Sequence, residues 1–318
     1  MARGETNVIE DNGDPYSPTS AAYIGDSAAV AEEATEARSV SQPAADYHAD
    51  HTAWSRSMLS TFRRRRRLAE AMYVTHKVAG EPPTEEMILG TAIHTAVFEP
   101  DRLAADFVTI PRGLLASNGA ASTNRAKDFI EEARAAGKTV VKQHTLDTVA
   151  TVSASIRRVC GPWLDLPAHR EESIYWTHPE TGVRLKCRPD WLTGAGNSGS
   201  VVVLDLKTTT DASPWAFRKK CEDLGYWLQD VHYREGIGML DRSRPVEFYF
   251  VVAEVQEPFA CALYSLDDRA LQAAERARRG ILRDLESCLR TGNWDEPWEQ
   301  SVTRLSLRPW AVEPETLC

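Results

Sequence analysis

The sequence predicts a mixed α/β protein, and two patterns along its 318 residues support this fold class. Between residues 172 and 256, apolar and polar residues alternate in β-branched runs separated by Gly, Pro and Ser turns, as is typical of strands. On both sides of this region, apolar residues recur at the spacing of amphipathic helices. We therefore expect a mixed central sheet flanked by helices.

The chain is expected to consist of a tail and one folded domain. Residues 1–45 are rich in Ala, Ser, Pro and acidic residues and contain few large apolar side chains, which predicts a disordered acidic tail. Residues 46–318 are expected to form a single domain. Within it, residues 46–165 are mainly helical, and residues 166–318 contain the sheet core and a C-terminal helix.

Capping residues mark the predicted helices of the first part. Ser55 precedes a helical pattern that extends to about His76, and Thr84 precedes a second pattern that Pro100 ends. The Ala-rich stretch from about Ser122 to Cys160 is also helical in composition, with one internal break at a glycine. These stretches predict a helical region at the N-terminal side of the sheet.

Four strands are predicted in the second part, with the sequences SIYWTH, VRLKCRPDWL, VVVLDLKTT and VEFYFVVAEV. A helical stretch from about Pro214 to Leu240 separates the third strand from the fourth. A last amphipathic helix is expected from about Asp267 to Leu289. The tryptophans beyond it are expected to pack back onto the domain: Trp294, Trp298 and Trp310.

Composition limits the location and the kind of site. The chain has no run of about eighteen apolar residues and no basic, then apolar N-terminus, so we expect a soluble cytoplasmic protein with no membrane contact. Its six cysteines are scattered, without a Cys-x-x-Cys pair or a Cys/His cluster, as is typical of free thiols in a reducing compartment. This spacing does not support an iron–sulfur cluster.

The distribution of charge is compatible with a nucleic-acid partner. A net charge of -9, evenly spread, would disfavour one, because phosphate binding needs a basic face. Residues 1–50 contain ten acidic residues and two arginines, so they account for -8 and the rest of the chain for -1. The run Arg63–Arg67 can therefore form a basic track beside an acidic metal site.

The residues expected to carry chemistry lie on two neighbouring predicted strands. Strand alternation places Asp205 and Lys207 on one face and Leu206 on the other. An isolated Asp-x-Lys pattern is most often a salt bridge at a strand end, but Asp190 adds a second carboxylate on the preceding strand. Two acids and the Leu206 carbonyl can bind one or two Mg²⁺ ions, and a lysine can stabilise charge on a phosphate. This combination predicts phosphodiester hydrolysis.

The order of the motifs resembles the RecB-like branch of the PD-(D/E)xK nucleases and, within it, the RecE-type exonuclease (exonuclease VIII) nuclease domain. The resemblance covers about residues 47–312. It is carried, in this order, by YHADHTAWSRSMLSTF, GTAIHTAVFEP, EESIYW, TGVRLKCRPDW, VVLDLKTT and GYWLQDVHY, followed by a closing tryptophan region. Each motif alone is modest, and the shared order makes the resemblance specific.

The resemblance implies a role for each matching residue. Asp190 and Asp205 would be the metal carboxylates, Lys207 the catalytic lysine and His94 the metal-associated histidine. Without the resemblance, a single histidine on an amphipathic helix is more often a core residue. Neutral imidazole is an ordinary ligand for Mn²⁺ and an acceptable one for Mg²⁺. The expected cofactor is Mg²⁺, with Mn²⁺ as an alternative.

Three further residues are expected to support the site. Gln229 and Tyr233 are four residues apart and share a helix face, and the resemblance implies that this pair supports the site or contacts DNA. Glu172, which opens the strand before that of Asp190, would be an additional acid near the metal. Glu171 is the competing candidate for this position.

The arginine run 63–67 is expected to contribute contacts to phosphate. Successive helical residues are about 100° apart, so the five side chains cannot all face one ligand. Two or three of them would contact DNA, with Arg64 and Arg67 as the candidates.

These observations predict a Mg²⁺-dependent deoxyribonuclease that degrades linear duplex DNA from its ends. The resemblance further implies 5′ to 3′ digestion, a 3′ single strand passed to a phage-type annealing protein in DNA recombination, and a ring-shaped homo-oligomer. One alternative is a Cas4-like or structure-specific nuclease, which the missing cysteine cluster disfavours. Another is a non-catalytic DNA-binding protein of the same fold, although buried acids that repel phosphate would have no use there.

Overall fold

The computed structural model describes residues 37–194, 196, 199–299, 302 and 304–305. In chain order its strands are β1 (Arg38–Val40), β2 (Phe107–Thr109), β3 (Thr139–Val141), β4 (Ala168–Arg170), β5 (Ser173–Thr177), β6 (Arg184–Cys187), β7 (Trp191–Thr193), β8 (Val201–Thr209), β9 (Val246–Glu254) and β10 (Cys261–Tyr264). Its helices are α1 (Ala44–Ala49), α2 (Arg56–Arg64), α3 (Arg66–Ala69), α4 (Glu85–Phe98), α5 (Pro100–Asp106), α6 (Asn124–Ala135), α7 (Gln143–Leu164), α8 (Pro214–Leu224), α9 (Tyr226–Leu240) and α10 (Asp268–Thr291).

The central sheet has five strands in the order β10-β9-β8-β7-β4. Strands β8 and β9 are parallel over nine residue pairs, and the other neighbours are antiparallel. Helices α4 and α7 pack on one face, and α9 and α10 lie on the other side. The predicted mixed α/β class, with helices on the faces of the sheet, is confirmed.

Strand β8 shows why its sequence is almost continuously apolar. Leu204 and Leu206 pack into the core on the α4 and α7 side, whereas Val203 packs into the core on the opposite side. Both faces of the strand are therefore buried, as in a parallel sheet between helical layers. Because side chains alternate, Asp205 and Lys207 point toward the α9 side.

The predicted strand VRLKCRPDWL is two strands in different sheets, so that prediction was wrong. Strand β6 joins a three-stranded antiparallel sheet in the order β1-β5-β6, whereas β7 joins the central sheet. Pro189 lies between them, and because proline has no N–H to donate, it interrupts a strand ladder. The chain changes sheets here, and Asp190 lies at the junction.

Two predicted helical stretches are interrupted, and a third ends at the predicted proline. The stretch after Ser55 changes direction at Arg65, whose extended backbone (φ -152°) separates α2 from α3, and it ends in a π-helical turn at residues 70–74. The stretch from Pro214 divides at Gly225, where φ is 70°, a left-handed conformation that glycine adopts readily. Pro100 ends α4 but also begins α5, a position in which proline is favoured.

The N-terminal boundary of the folded part differs from the prediction. Residues 1–36 lie outside the described residues, so the expected disorder there stays a prediction. Strand β1 and the first residues of α1 fall within the predicted tail. They are ordered because Tyr47 is buried beside Ala53 and Tyr175, with Val40 packed against this cluster.

The C-terminal region packs as expected at one of its two described tryptophans. Trp294 is buried and stacks on Trp54, with ring centroids 6.5 Å apart, whereas Trp298 is exposed and Trp310 lies outside the described residues. The five described cysteines are free thiols. Among the described helices, none is both long enough and apolar enough to cross a bilayer.

Candidate active site

Side chains from five parts of the fold meet in one cleft with a volume of about 840 Å³. Helix α4, the turn between β4 and β5, the link between β6 and β7, strand β8 and helix α9 each contribute to it. The predicted residues that line it are His94, Asp190, Asp205, Leu206, Lys207, Gln229 and Tyr233. The strands contribute only some of these residues. His94 comes from α4, and Gln229 and Tyr233 come from α9, so both helices must pack against the sheet to complete the cleft.

A candidate metal centre lies at the bottom of this cleft. The ligand atoms of His94, Glu171 and Asp190 are within 4.8 Å of one another. His94 Nε2 is 3.4 Å from Asp190 Oδ2 and 3.2 Å from the carbonyl oxygen of Leu206. Its Nδ1 is 3.7 Å from Glu171 Oε1. A set of carboxylates, a carbonyl and an imidazole fits a divalent cation such as Mg²⁺ or Mn²⁺.

The electrostatics of this cluster also favour a cation. Burial raises the pKa of Asp190 to about 8, and the nearby carboxylates of Asp205 and Glu171 raise it further. The positive charges of His94 and Lys207 oppose this increase. Burial by itself would lower the pKa of His94, but Asp190 and Glu171 outweigh it and raise the pKa to about 9. Metal-free, the His94–Asp190 pair therefore retains a proton near neutral pH, and a bound cation would replace it.

Asp190 is oriented by the backbone of the neighbouring strand. Its Oδ2 accepts a hydrogen bond from the N–H of Leu206 at 2.7 Å. Leu206 therefore donates its N–H to the Asp190 carboxylate, while its carbonyl oxygen lies beside His94. This arrangement holds the carboxylate of Asp190 against β8 and fixes its distance from His94.

Asp205 is held by two side chains. It is 1% exposed, its Oδ2 forms an ion pair with the Lys207 ammonium group, and its Oδ1 accepts a hydrogen bond from Gln229 Nε2. Arg56 donates to Gln229 Oε1 at 3.1 Å, which fixes the orientation of that amide. The Lys207 ammonium lies 4.8 Å from the centre of the Tyr226 ring, a cation–π contact. Gln229 therefore positions Asp205.

Arg188 and Tyr233 support the segment that carries Asp190. Arg188 donates from Nε to Glu171 Oε2 at 2.9 Å, and the Tyr233 hydroxyl donates to the Arg188 carbonyl at 3.3 Å. The pKa of Glu171 is lowered, because hydrogen bonds and charge from His94 and Arg188 outweigh the effect of burial. Arg188 adjoins the predicted Pro-Asp pair, and this position was the only sequence signal for its role.

Glu171, and not Glu172, is the additional acid of the site. Glu171 has a left-handed backbone (φ 51°) in the turn between β4 and β5, which directs its side chain toward His94. Glu172 instead accepts a hydrogen bond from the Ser39 hydroxyl, and its other carboxylate oxygen lies 2.5 Å from His169 Nδ1. The structure thus brings the competing candidate Glu171 to the cleft, and not Glu172. Both acids lie in a turn, which has no strand alternation from which to assign faces.

The two predicted DNA-contacting arginines have different environments. Arg64 is exposed, donates to the carbonyl of Asp223 and lines a groove beside the cleft. Arg67 forms ion pairs with Asp295 at 2.7 Å and with Glu299 at 3.0 Å, and it does not line the cleft. The structure therefore does not bring Arg67 to the site.

Residues 55–301 match the model of a family described as a PDDEXK-like domain of unknown function, DUF3799. The chain belongs to this family. The PD-(D/E)xK superfamily expected from the motifs is thereby confirmed, whereas the narrower RecE-type assignment stays a prediction. A search of curated proteins finds no match.

Two solved structures are similar to this chain. One is a crystal structure described as a putative exonuclease from Eubacterium rectale, with 13% identity and a TM-score of 0.52 over 85% of this chain and 97% of that chain. At this identity the likeness supports the fold alone. The other, protein VC1899 from Vibrio cholerae, has 10% identity and a TM-score of 0.22 over 80% of this chain and 58% of that one, which is too low to support an argument.

Proposed function

We propose that this protein is a metal-dependent DNA exonuclease that hydrolyses the phosphodiester bonds of linear duplex DNA. The observation that supports the proposal is the convergence of His94, Glu171, Asp190 and the Leu206 carbonyl beside the Asp205–Lys207 pair. Such a set of hard ligands with an adjacent ammonium group is what phosphodiester hydrolysis requires. A binding protein would not need acids that repel phosphate.

The ligands of the proposed cofactor, Mg²⁺ with Mn²⁺ as an alternative, would be His94, Asp190, Asp205, the Leu206 carbonyl and Glu171. When bound, such an ion lowers the pKa of an attacking water and neutralises charge on the phosphate and the leaving oxygen. The backbone of β8 contributes rigidity, because the Leu206 N–H fixes Asp190 while its carbonyl faces the ligands.

Lys207 would stabilise the charge that develops on the phosphate. At ~4 Å and an effective dielectric of ~20, the attraction between an ammonium group and a negative charge is about 4 kcal/mol. This energy corresponds to about 10³ in rate. Asp205 and the Tyr226 ring hold the ammonium group in the cleft, so its position is set before a substrate binds.

The direction of digestion and the partners are proposed from the motif order. The RecE-like order supports 5′ to 3′ digestion that leaves 3′ single strands for a single-strand annealing protein in recombination. It also supports a homo-oligomeric ring around the DNA.

Linear duplex DNA labelled at either its 5′ or its 3′ end, incubated with the protein and Mg²⁺, tests the proposal. We expect early release of the 5′ label, no cleavage in EDTA, and no cleavage by the Asp205→Ala variant. Asp128→Ala is the control, because Asp128 is exposed on α6 and does not line the cleft. No digestion by the wild-type protein, or digestion that Asp205→Ala leaves unchanged, would contradict the proposal.

A further inference from the structure

A second groove runs along α2 beside the cleft, with a volume of about 400 Å³. Its polar lining consists of Arg56, Ser57, Ser60, Thr61, Arg64 and Arg65. We call it the α2 groove. Arg56 and Ser57 line both the α2 groove and the cleft, so the two are continuous.

The α2 groove differs from the cleft in charge. Three of its lining side chains are guanidinium groups, and among the described residues no carboxylate lines it. The cleft, in contrast, is lined by Glu171, Asp190, Asp205 and further acids. Arginine and serine or threonine side chains are those that most often contact the phosphates of nucleic acids. The lining therefore favours an anionic ligand.

The break at Arg65 divides the arginine run into two groups. Arg66 and Arg67, after the break, are paired with Asp284 and Asp295. Arg65 is exposed and makes no ion pair in the described part of the chain. Arg64 donates to a backbone carbonyl, which does not neutralise its charge. The positive charges of Arg64 and Arg65 are thus available to a ligand.

The dimensions of the α2 groove fit one strand. Its polar residues recur on one face of α2 from Arg56 to Arg64, and eight helical steps of ~1.5 Å give a length of ~12 Å. Successive phosphates of one strand are ~3.4 Å apart along the axis of a duplex, and they are further apart in an extended single strand. The polar side chains along α2 can therefore contact roughly two or three phosphates of an extended strand. A volume of about 400 Å³ is that of a small-ligand site and is too small to enclose a duplex.

We propose that the α2 groove binds the sugar–phosphate backbone of the DNA strand that is cleaved in the adjoining cleft. The inference rests on the proposed nuclease function and adds the path of the strand beside the scissile phosphate. Arg56 connects the two regions, because it lines both and donates to Gln229, which holds Asp205. A phosphate in the groove would thus lie next to the side chains that position the catalytic acid.

The test measures binding of a fluorescent single-stranded oligonucleotide to the full-length protein in EDTA at several salt concentrations. We expect Arg64→Ala/Arg65→Ala to reduce the slope of log affinity against log salt by about 1.4, equivalent to about 25-fold weaker binding at ~0.1 M salt. Arg276→Ala/Arg279→Ala removes the same charge from exposed positions on α10 that do not line the α2 groove. This control should keep the wild-type slope.

Unchanged binding by Arg64→Ala/Arg65→Ala, or equal losses in the α10 control, would overturn the inference. A wild-type protein that binds through these residues but never cleaves DNA would contradict the proposed function and leave the groove as a nucleic-acid site.

Discussion

Two histidines on helices that cover opposite faces of the central sheet have opposite environments. His232, on α9, is buried, its Nε2 is 3.0 Å from the Lys186 carbonyl, and Arg278 Nε donates to its Nδ1 at 3.3 Å. Burial and the charge of Arg278 lower the pKa of His232 to about 3. His94, on α4, faces carboxylates, and its pKa is raised to about 9 against the effect of burial.

The difference lies in the partners and not in the residue type. Around His232, Arg278 pairs with Glu235, which also accepts a hydrogen bond from Trp176 Nε1 at 2.8 Å. Charges there are matched and both ring nitrogens have partners in the neutral form. Around His94, the ligand atoms of two carboxylates and a backbone carbonyl converge on one imidazole. One cluster pairs its charges within the core, and the other is suited to an added cation.

The largest expected effect is on the cleavage rate, through a residue of the cleft that contains His94. Lys207→Ala should reduce the rate of DNA cleavage by about 10³, because it removes the charge that stabilises the phosphate. Single-turnover cleavage with excess enzyme measures the rate, and thermal unfolding in EDTA checks the fold. A loss below tenfold in a folded variant would show that Lys207 does not stabilise the reacting phosphate.

Metal affinity should depend steeply on pH. The pKa of His94 is raised to about 9 and that of Asp190 to about 8, so this pair retains a proton near neutral pH that must leave before a cation binds. Affinity for Mn²⁺ should therefore rise with pH, by about tenfold for each unit when one proton is displaced. Calorimetry at pH 6, 7 and 8 measures this change. An affinity that does not change with pH would mean that these two residues are not ligands.

The His232 cluster should affect stability and not metal binding. The pKa of His232 is about 3 in the folded protein, below its ordinary value of ~6.5. The neutral ring thus contributes stability that is fully present above pH ~6.5 and decreases as the pH falls toward 3. Between pH 6.5 and 5 the loss is about 2 kcal/mol.

Chemical denaturation at pH 7 and pH 5 tests this expectation on the wild-type protein and on His232→Gln. The variant should lose less stability than the wild-type protein on acidification, because glutamine does not titrate. The same decrease in both proteins would place the acid-sensitive group elsewhere. Metal affinity at pH 7 should be the same in both.

The smallest expected effect separates two adjacent acids. Glu171→Gln should weaken Mn²⁺ binding by about tenfold, in the range found when a group that supports a metal site is lost. Glu172→Gln removes the same charge one residue away, where Ser39 and His169 are the partners. It should change metal affinity less than twofold. Equal effects of the two variants would remove Glu171 from the metal site.

The part of the site on β8 could be predicted from sequence because it depends on local periodicity. Alternation along the strand is enough to place Asp205 and Lys207 together and to direct Leu206 away from them. The division of the predicted strand VRLKCRPDWL into β6 and β7 could not be predicted from local periodicity, because VRLKC and DWL both have strand composition. The change of sheets at Pro189 depends on tertiary pairing with β5 and β8.

The arginine run and Glu171 required the folded structure for a different reason. A continuous helix was the natural interpretation of residues 55–76, so the turn at Arg65 changed the direction of every arginine after it. The acids that neutralise Arg66 and Arg67 are more than 200 residues away in the sequence. Glu171 depends on a single left-handed backbone angle, which no pattern of side chains predicts.

The parallel pairing of β8 with β9 has a consequence for the synthesis of the protein. Strand β8 ends at Thr209, but its parallel partner is not complete until Glu254, with α8 and α9 between them. Contacts so distant along the chain form late in folding. A growing chain on the ribosome therefore cannot assemble the cleft until most of its length has been made, so it emerges without a finished hydrolytic centre beside cellular nucleic acids.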